Sequence, residues 1–151
     1  MIEGVKIKKL QVIPDERGRV MEILRDDDDF FERFGQVYTT TVYPGVVKAW
    51  HYHEKQTDHV CVVHGMIKLV LFDRRKDSAT YRKIEELIIG EHNTLLVRIP
   101  PMVLHGWKGI GEKEAIVINI PDSHYDSESP DEQRLPYDSE EVGYDWEIKF
   151  R

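Results

Sequence analysis

Cysteine is almost missing from this chain. Cys61 is the one cysteine in 151 residues, so no internal disulfide can form, and the expected setting is a reducing cytoplasm. Cys61 sits in a Val-rich run and reads as a small core hydrophobe. Long apolar runs are absent too. None approaches the roughly 18 residues a membrane-spanning helix needs, so no membrane partner is expected. The opening MIEGVKIKKLQVI lacks the apolar core and small-residue cleavage site of a signal peptide. No internal repeat and no low-complexity linker divides the chain. One domain over 1–151 is expected, with a core over about 5–120 and a C-terminal strap over 121–151. A basic stripe is also lacking, which argues against nucleic acid. The net charge of -7 lies in the tail: residues 121–151 hold ten acids and three bases, and the remainder is balanced. A phosphorylated small molecule stays compatible, because a few local Arg and Lys residues suffice to hold one.

Short runs rich in Val, Ile, Thr and Tyr fill the rest. They predict strands over 5–13, 20–24, 36–43, 46–53, 58–64, 66–73, 81–89, 94–99, 103–107 and 114–120, with turn residues between them. Gly65 separates 58–64 from 66–73 as a hairpin. The acids at 26–29 and the following FFERFG predict a short surface helix over about 27–34, capped by an Asp and ended by Gly35. Many short strands at even spacing give an all-β, antiparallel double-sheet jelly-roll barrel. The strap is acidic but carries Tyr125, Tyr137, Tyr144 and Trp146, so its rings are expected to pack on the barrel.

Four of the seven histidines fall between Gly45 and Gly65. His51 and His53 are two apart, so on a strand both face one side. Strict alternation puts Val47 and Ala49 with them and sends Lys48, Trp50 and Tyr52 to the other face. Asp58 follows on the next strand, and His105 lies beyond Pro100-Pro101. Two chemistries fit. His51, His53, Asp58 and His105 form a three-His, one-carboxylate set suited to Zn, Fe, Mn or Ni. Alternatively the imidazoles move protons, since imidazole titrates near neutrality. For His59, His64, His92 and His124 a structural or solvated role is the simpler reading, and Trp50 reads as core.

The spacing Gly45-x5-His51-x-His53-x4-Asp58-x6-Gly65 resembles the first cupin signature, with Asp where Glu is usual. Pro100-x4-His105 resembles part of the second. DERGRVMEIL at 15–24, FGQVYTTTVYPGVVKAWHYH at 34–53, PPMVLHGW at 100–107 and the tail from Tyr125 to Trp146 are similar to the dTDP-4-dehydrorhamnose 3,5-epimerases, a branch of the cupins. The resemblance implies a metal-free, homodimeric isomerase acting on a nucleotide-linked 4-keto-6-deoxy sugar in deoxysugar and polysaccharide biosynthesis. Uncovered sheet edges also favour a dimer. By position it makes His51 the general base and sets His105 beside the sugar ring. Arg17 and Glu22 then contact the nucleotide, while Gln36 and Lys48 line the pocket, Lys48 in place of a phosphate-binding arginine. Tyr38, His53, Asp58 and Trp107 are the other substrate-contact candidates.

Some positions depart from the family pattern. Its catalytic tyrosine aligns near Ile118, its lysine near Asp58 and its glutamine at His53. The aspartate that orients its base falls beyond this chain. Inversion at carbon needs an acid opposite the base, and Tyr38, Tyr43, Tyr52 and Tyr125 are the candidates here. Lys48 and His105 are candidates to stabilise an enolate oxygen. A sugar-binding cupin that has lost the acid is a third reading.

Overall fold

The computed structural model describes residues 1–148; the last three residues of the strap lie outside them. Twelve strands are present: β1 Lys6–Lys9, β2 Val12–Asp15, β3 Gly18–Met21, β4 Tyr38–Val42, β5 Val47–His53, β6 Asp58–His64, β7 Met66–Asp73, β8 Ile84–Gly90, β9 Leu95–Ile99, β10 Val103–Ile110, β11 Ala115–Asn119 and β12 Glu132–Arg134. One five-stranded sheet runs β1-β9-β6-β11-β4, and the other runs β12-β5-β10-β7-β8. Every strand pairing is antiparallel. Val60, Val62, Val97 and Val117 of the first sheet meet Ile67, Leu69, Leu71 and Trp107 of the second in one buried cluster. The fold is the expected jelly roll.

The segment 5–13 divides. Leu10 is buried between β1 and β2, and β2 pairs with β3 in a separate hairpin. The helix expected over 27–34 is not there, and no helix occurs among the described residues. Residues 26–30 form turns instead. Asp28 does not cap a helix: both its carboxylate oxygens accept from Lys8 Nζ at 2.7 Å, and one also accepts from the Arg25 N–H. Phe30 is drawn inward to stack on His59, with ring centroids 5.9 Å apart. The N–H groups of Gly35 and Gln36 both turn to the Pro121 carbonyl. Burial of one aromatic ring and these tertiary bonds outweigh the local helical signal.

The strap behaves as a cover over the outer face of the second sheet. Tyr144 and Trp146 pack on Trp50, with centroids at 6.0 and 4.9 Å. The indole N–H groups of Trp50 and Trp146 both donate to the Tyr137 carbonyl. Lys68 and Lys108, both buried, donate to the Trp146 carbonyl. Tyr125 and Tyr137 do not pack: both rings are exposed.

One irregularity positions the site. In the β5–β10 ladder His105 pairs with His51, but Trp107 pairs with Lys48. Ala49 and Trp50 on β5 thus stand against Gly106 alone, a bulge that reverses the facing of every residue before it. A Cβ on Gly106 would lie 2.3 Å from the Ala49 Cβ, so only glycine fits opposite the bulge. Gly106→Ala is expected to cost about 1–3 kcal/mol through forced backbone displacement. A shift in the urea unfolding midpoint would measure it.

Candidate active site

Because of that bulge, Lys48 and His51 look into the same space although they are three positions apart. A cavity of about 490 Å³ lies between the sheets. Tyr38 and Thr40 line it from β4, Lys48, His51 and His53 from β5, His105 and Trp107 from β10, and Glu132 and Arg134 from β12. It adjoins a second cavity of about 600 Å³, lined by Gln36, Ser123 to Asp126 and Asp131 among others. Tyr38, His53 and Glu132 border both.

The imidazoles form a ladder across the strands. His105 lies between His51 and His53, with centroids at 6.2 and 6.0 Å, and its other neighbour is Trp107 at 6.5 Å. Each outer histidine has its own carboxylate. His51 Nδ1 is 2.9 Å from Glu132 Oε1. Burial would raise the Glu132 carboxyl, but the hydrogen bonds of Arg134 and His51 outweigh it and keep the group ionised. An ionised carboxylate only accepts, so the proton of the neutral His51 ring sits on Nδ1 and Nε2 is its basic nitrogen.

Asp58, 1% exposed, lies 3.3 Å from His53 Nε2 and 3.5 Å from His105 Nε2. The side-chain amides of Gln56 and Asn119 both donate to Asp58 Oδ1 at 2.9 Å. Burial would raise Asp58, but the His53 hydrogen bond and the neighbouring imidazoles hold it well below the carboxylate range. Burial would lower His53, yet its bond to Asp58 and the charges of Asp58, Asp131 and Glu132 push it up. His105 falls to about 4, chiefly by burial, with Asp58 pulling the other way. Asp58 thus stays ionised between the two imidazoles, and of these it is His53 that is shifted toward its protonated form.

The four-residue metal set therefore separates. Ligand atoms of His53, Asp58 and His105 lie within 4.8 Å of one another, a spacing that can hold a cation. His51 is outside that trio and turns to Glu132. Gln36 lines only the second cavity and receives the Tyr125 N–H. Lys48 Nζ is anchored on the Thr41 carbonyl at 2.6 Å and on Thr40 Oγ1 at 3.2 Å. Arg17 and Glu22 reach neither cavity. Arg17 sits exposed in the β2–β3 turn against Asp15, and Glu22 lies beyond β3 against Arg25.

Two site residues carried no signal in the sequence. Glu132 is one acid among many in the tail, and only the pairing of β12 with β5 sets it opposite His53 and beside His51. Asp131, its neighbour, fastens the strap there by accepting the N–H groups of Glu54, Lys55 and Gln56. Asn119 is the other. Ile118 packs with Leu10, Phe30, Cys61 and Leu96 on the far side of the first sheet, so position 118 has no access to the cavity. Asn119 next to it points inward to Asp58 and Tyr38.

The chain is similar in sequence and in fold to known proteins. The family model described as dTDP-4-dehydrorhamnose 3,5-epimerase matches residues 1–151. Spore coat polysaccharide biosynthesis protein SpsL of Bacillus subtilis strain 168 is 42% identical over 151 residues, covering 100% of both chains. The probable low-salt glycan biosynthesis epimerase Agl13 of Haloferax volcanii is 43% identical over 99% of this chain and 97% of its own. The crystal structure of a dTDP sugar isomerase from Desulfovibrio desulfuricans G20 superposes with a TM-score of 0.91 at 34% identity, covering 96% of this chain and 92% of that one. With a family model spanning every residue and relatives of matching length, the histidine–carboxylate pairs belong to a carbohydrate epimerase, and the chain is a member of the dTDP-4-dehydrorhamnose 3,5-epimerase family.

Proposed function

We propose that this epimerase inverts a carbon next to the ketone of a nucleotide-linked 4-keto-6-deoxy sugar, in the making of a surface polysaccharide or glycan. The observation that carries the reading is the His51–Glu132 pair in the wall of the 490 Å³ cavity. A proton beside a ketone is weakly acidic, and its removal needs a positioned base and a partner for the enolate oxygen. His51 is the base, and Glu132 holds its tautomer and stabilises the imidazolium that forms. Lys48 supplies a fixed cation to stabilise the enolate oxygen, and the neutral His105, its ring nitrogens turned to the Val103 carbonyl and to Asp58, forms the wall beside the sugar ring. Trp107, buried with its indole N–H unpaired among the described residues, packs against His105 and completes that wall.

Two further parts of the reading concern assembly and metal. Arg17 and Glu22 can meet the nucleotide only if their hairpin reaches the cavity of another copy. The exposed cross-strand pair Ile13 and Val20 on that hairpin favours such a contact, and the proposed unit is a cytoplasmic homodimer. No metal is invoked, since base, carboxylate and cation are all side chains.

Incubation with dTDP-4-keto-6-deoxyglucose in heavy water tests the reading. Deuterium is expected at the inverted carbon, unaffected by EDTA. No exchange would refute the epimerase assignment for this substrate. Loss of exchange with EDTA, restored by a divalent ion, would move the chemistry to the His53–Asp58–His105 trio.

A further inference from the structure

We propose that Tyr38, on the sheet opposite the base, is the acid that protonates the enolate from its other face, and that Asn119 orients it. This rests on the epimerase reading and names the one group which that reading leaves unassigned.

Inversion requires two groups on opposite sides of one carbon. His51 stands on β5 of the second sheet, and the cavity is closed on the other side by β4 of the first. The side chains that line it from β4 are Tyr38 and Thr40, and only Tyr38 carries an acidic proton in the useful range. The other tyrosines considered as acids fail on position. Tyr43 and Tyr52 line neither cavity, Tyr125 lines only the second, and Tyr137 borders the first from the strap just beyond β12, the strand paired with the base's own.

The hydrogen bonding fixes the direction of the phenol. Asn119 Oδ1 accepts the backbone N–H of His59 at 3.2 Å, so its amide nitrogen must face the other way. That nitrogen donates one hydrogen to Asp58 Oδ1 and the other to Tyr38 Oη, each at 2.9 Å. The Tyr38 oxygen is therefore an acceptor in its bond to Asn119. Its own proton has no acceptor among the described residues, and it is free for a ligand in the cavity. Burial, helped by the charge of Asp58, keeps the phenol above its ordinary value despite the Asn119 bond, so it stays protonated. The acid thus comes from the strand next to β11: Tyr38 pairs directly with Asn119 across the β4–β11 ladder.

The C–H bond beside the ketone breaks, its proton passes to His51 Nε2, and its electron pair moves onto the carbonyl oxygen. The enolate then takes the Tyr38 proton on the opposite face and the carbonyl re-forms. The tyrosinate regains a proton from water, and the imidazolium returns one to water.

Removing the acid but keeping the base leaves a distinctive reaction. Tyr38→Phe in heavy water is expected to lose inversion about 100-fold, while deuterium still enters recovered substrate with retained configuration. In that variant His51 returns the deuteron from the face it attacked. A fluorinated tyrosine in place of Tyr38, which lowers the phenol pKa, is expected to move the alkaline limb of inversion to lower pH and leave exchange in place. Tyr38→Phe that inverts like the parent would overturn the assignment. So would loss of exchange and inversion together while dTDP binding is kept. If Tyr38→Phe fails to fold, the fluorinated protein decides: an unmoved limb overturns the assignment. A parent protein without any exchange would instead refute the epimerase reading itself.

Discussion

His51→Ala is expected to slow deuterium entry at the carbon next to the ketone by about 10³-fold, within the usual range for loss of a positioned general base. Binding of dTDP should stay within a few-fold of the parent, because the proposed mechanism sets His51 against the reacting ring and not the nucleotide. Glu132→Gln should cost less, about 10²-fold, since the amide oxygen can still accept from Nδ1–H but no longer offsets the imidazolium charge. The two changes should not add. Glu132 acts only through His51, so Glu132→Gln made in His51→Ala should alter the remaining rate hardly at all. If the double variant falls by the product of the single losses, Glu132 has its own contact with substrate and the pair is not one unit. Near-parent exchange in His51→Ala would remove His51 as the base.

The second large effect is on stability against pH. His105 has a folded value of about 4 against an ordinary 6.5, so between these limits the unfolded chain binds a proton that the native chain refuses. Stability then falls as pH drops from 6.5 to 4, by about 3 kcal/mol for a shift of this size, and the His105 contribution is constant below that. The other members of the cluster act outside this window. His53 is raised, so its contribution is full below its ordinary 6.5 and fades as pH climbs through its folded value. Asp58 is lowered, so its contribution is present above its ordinary 3.8 and fades only in stronger acid. Urea midpoints at fixed protein concentration should therefore decline from pH 6.5 to pH 4 in the parent. His105→Gln should flatten that decline even if its midpoint is lower throughout. An unchanged slope in the variant would show that another group carries the acid sensitivity.

The barrel was legible because its central strands state themselves twice. Residues 58–64 and 66–73 are β-rich and also divided by Gly65, where φ is +67°. The family likeness at 34–53 and 100–107 likewise led to His51 and His105. Other features depend on contacts no local pattern encodes. EQR at 132–134 has no apolar residue, and it becomes a strand because β5 offers an edge. DDDDFFERFG has every local mark of a helix, but Lys8 and His59 draw its Asp28 and Phe30 elsewhere. The bulge at Ala49 and Trp50 breaks the alternation that would have put Lys48 and His51 on opposite faces. Asn119 went unread because the expected tyrosine position fell one residue away, and in a strand one residue is the other face of the sheet.

The pairing of His51 with Glu132 spans 81 positions. During translation, β1 to β11 all leave the ribosome before Glu132 does. A nascent chain can pair its central strands, cover His105 and still hold a base with no carboxylate behind it. The His51–Glu132 pair is thus completed only late in synthesis.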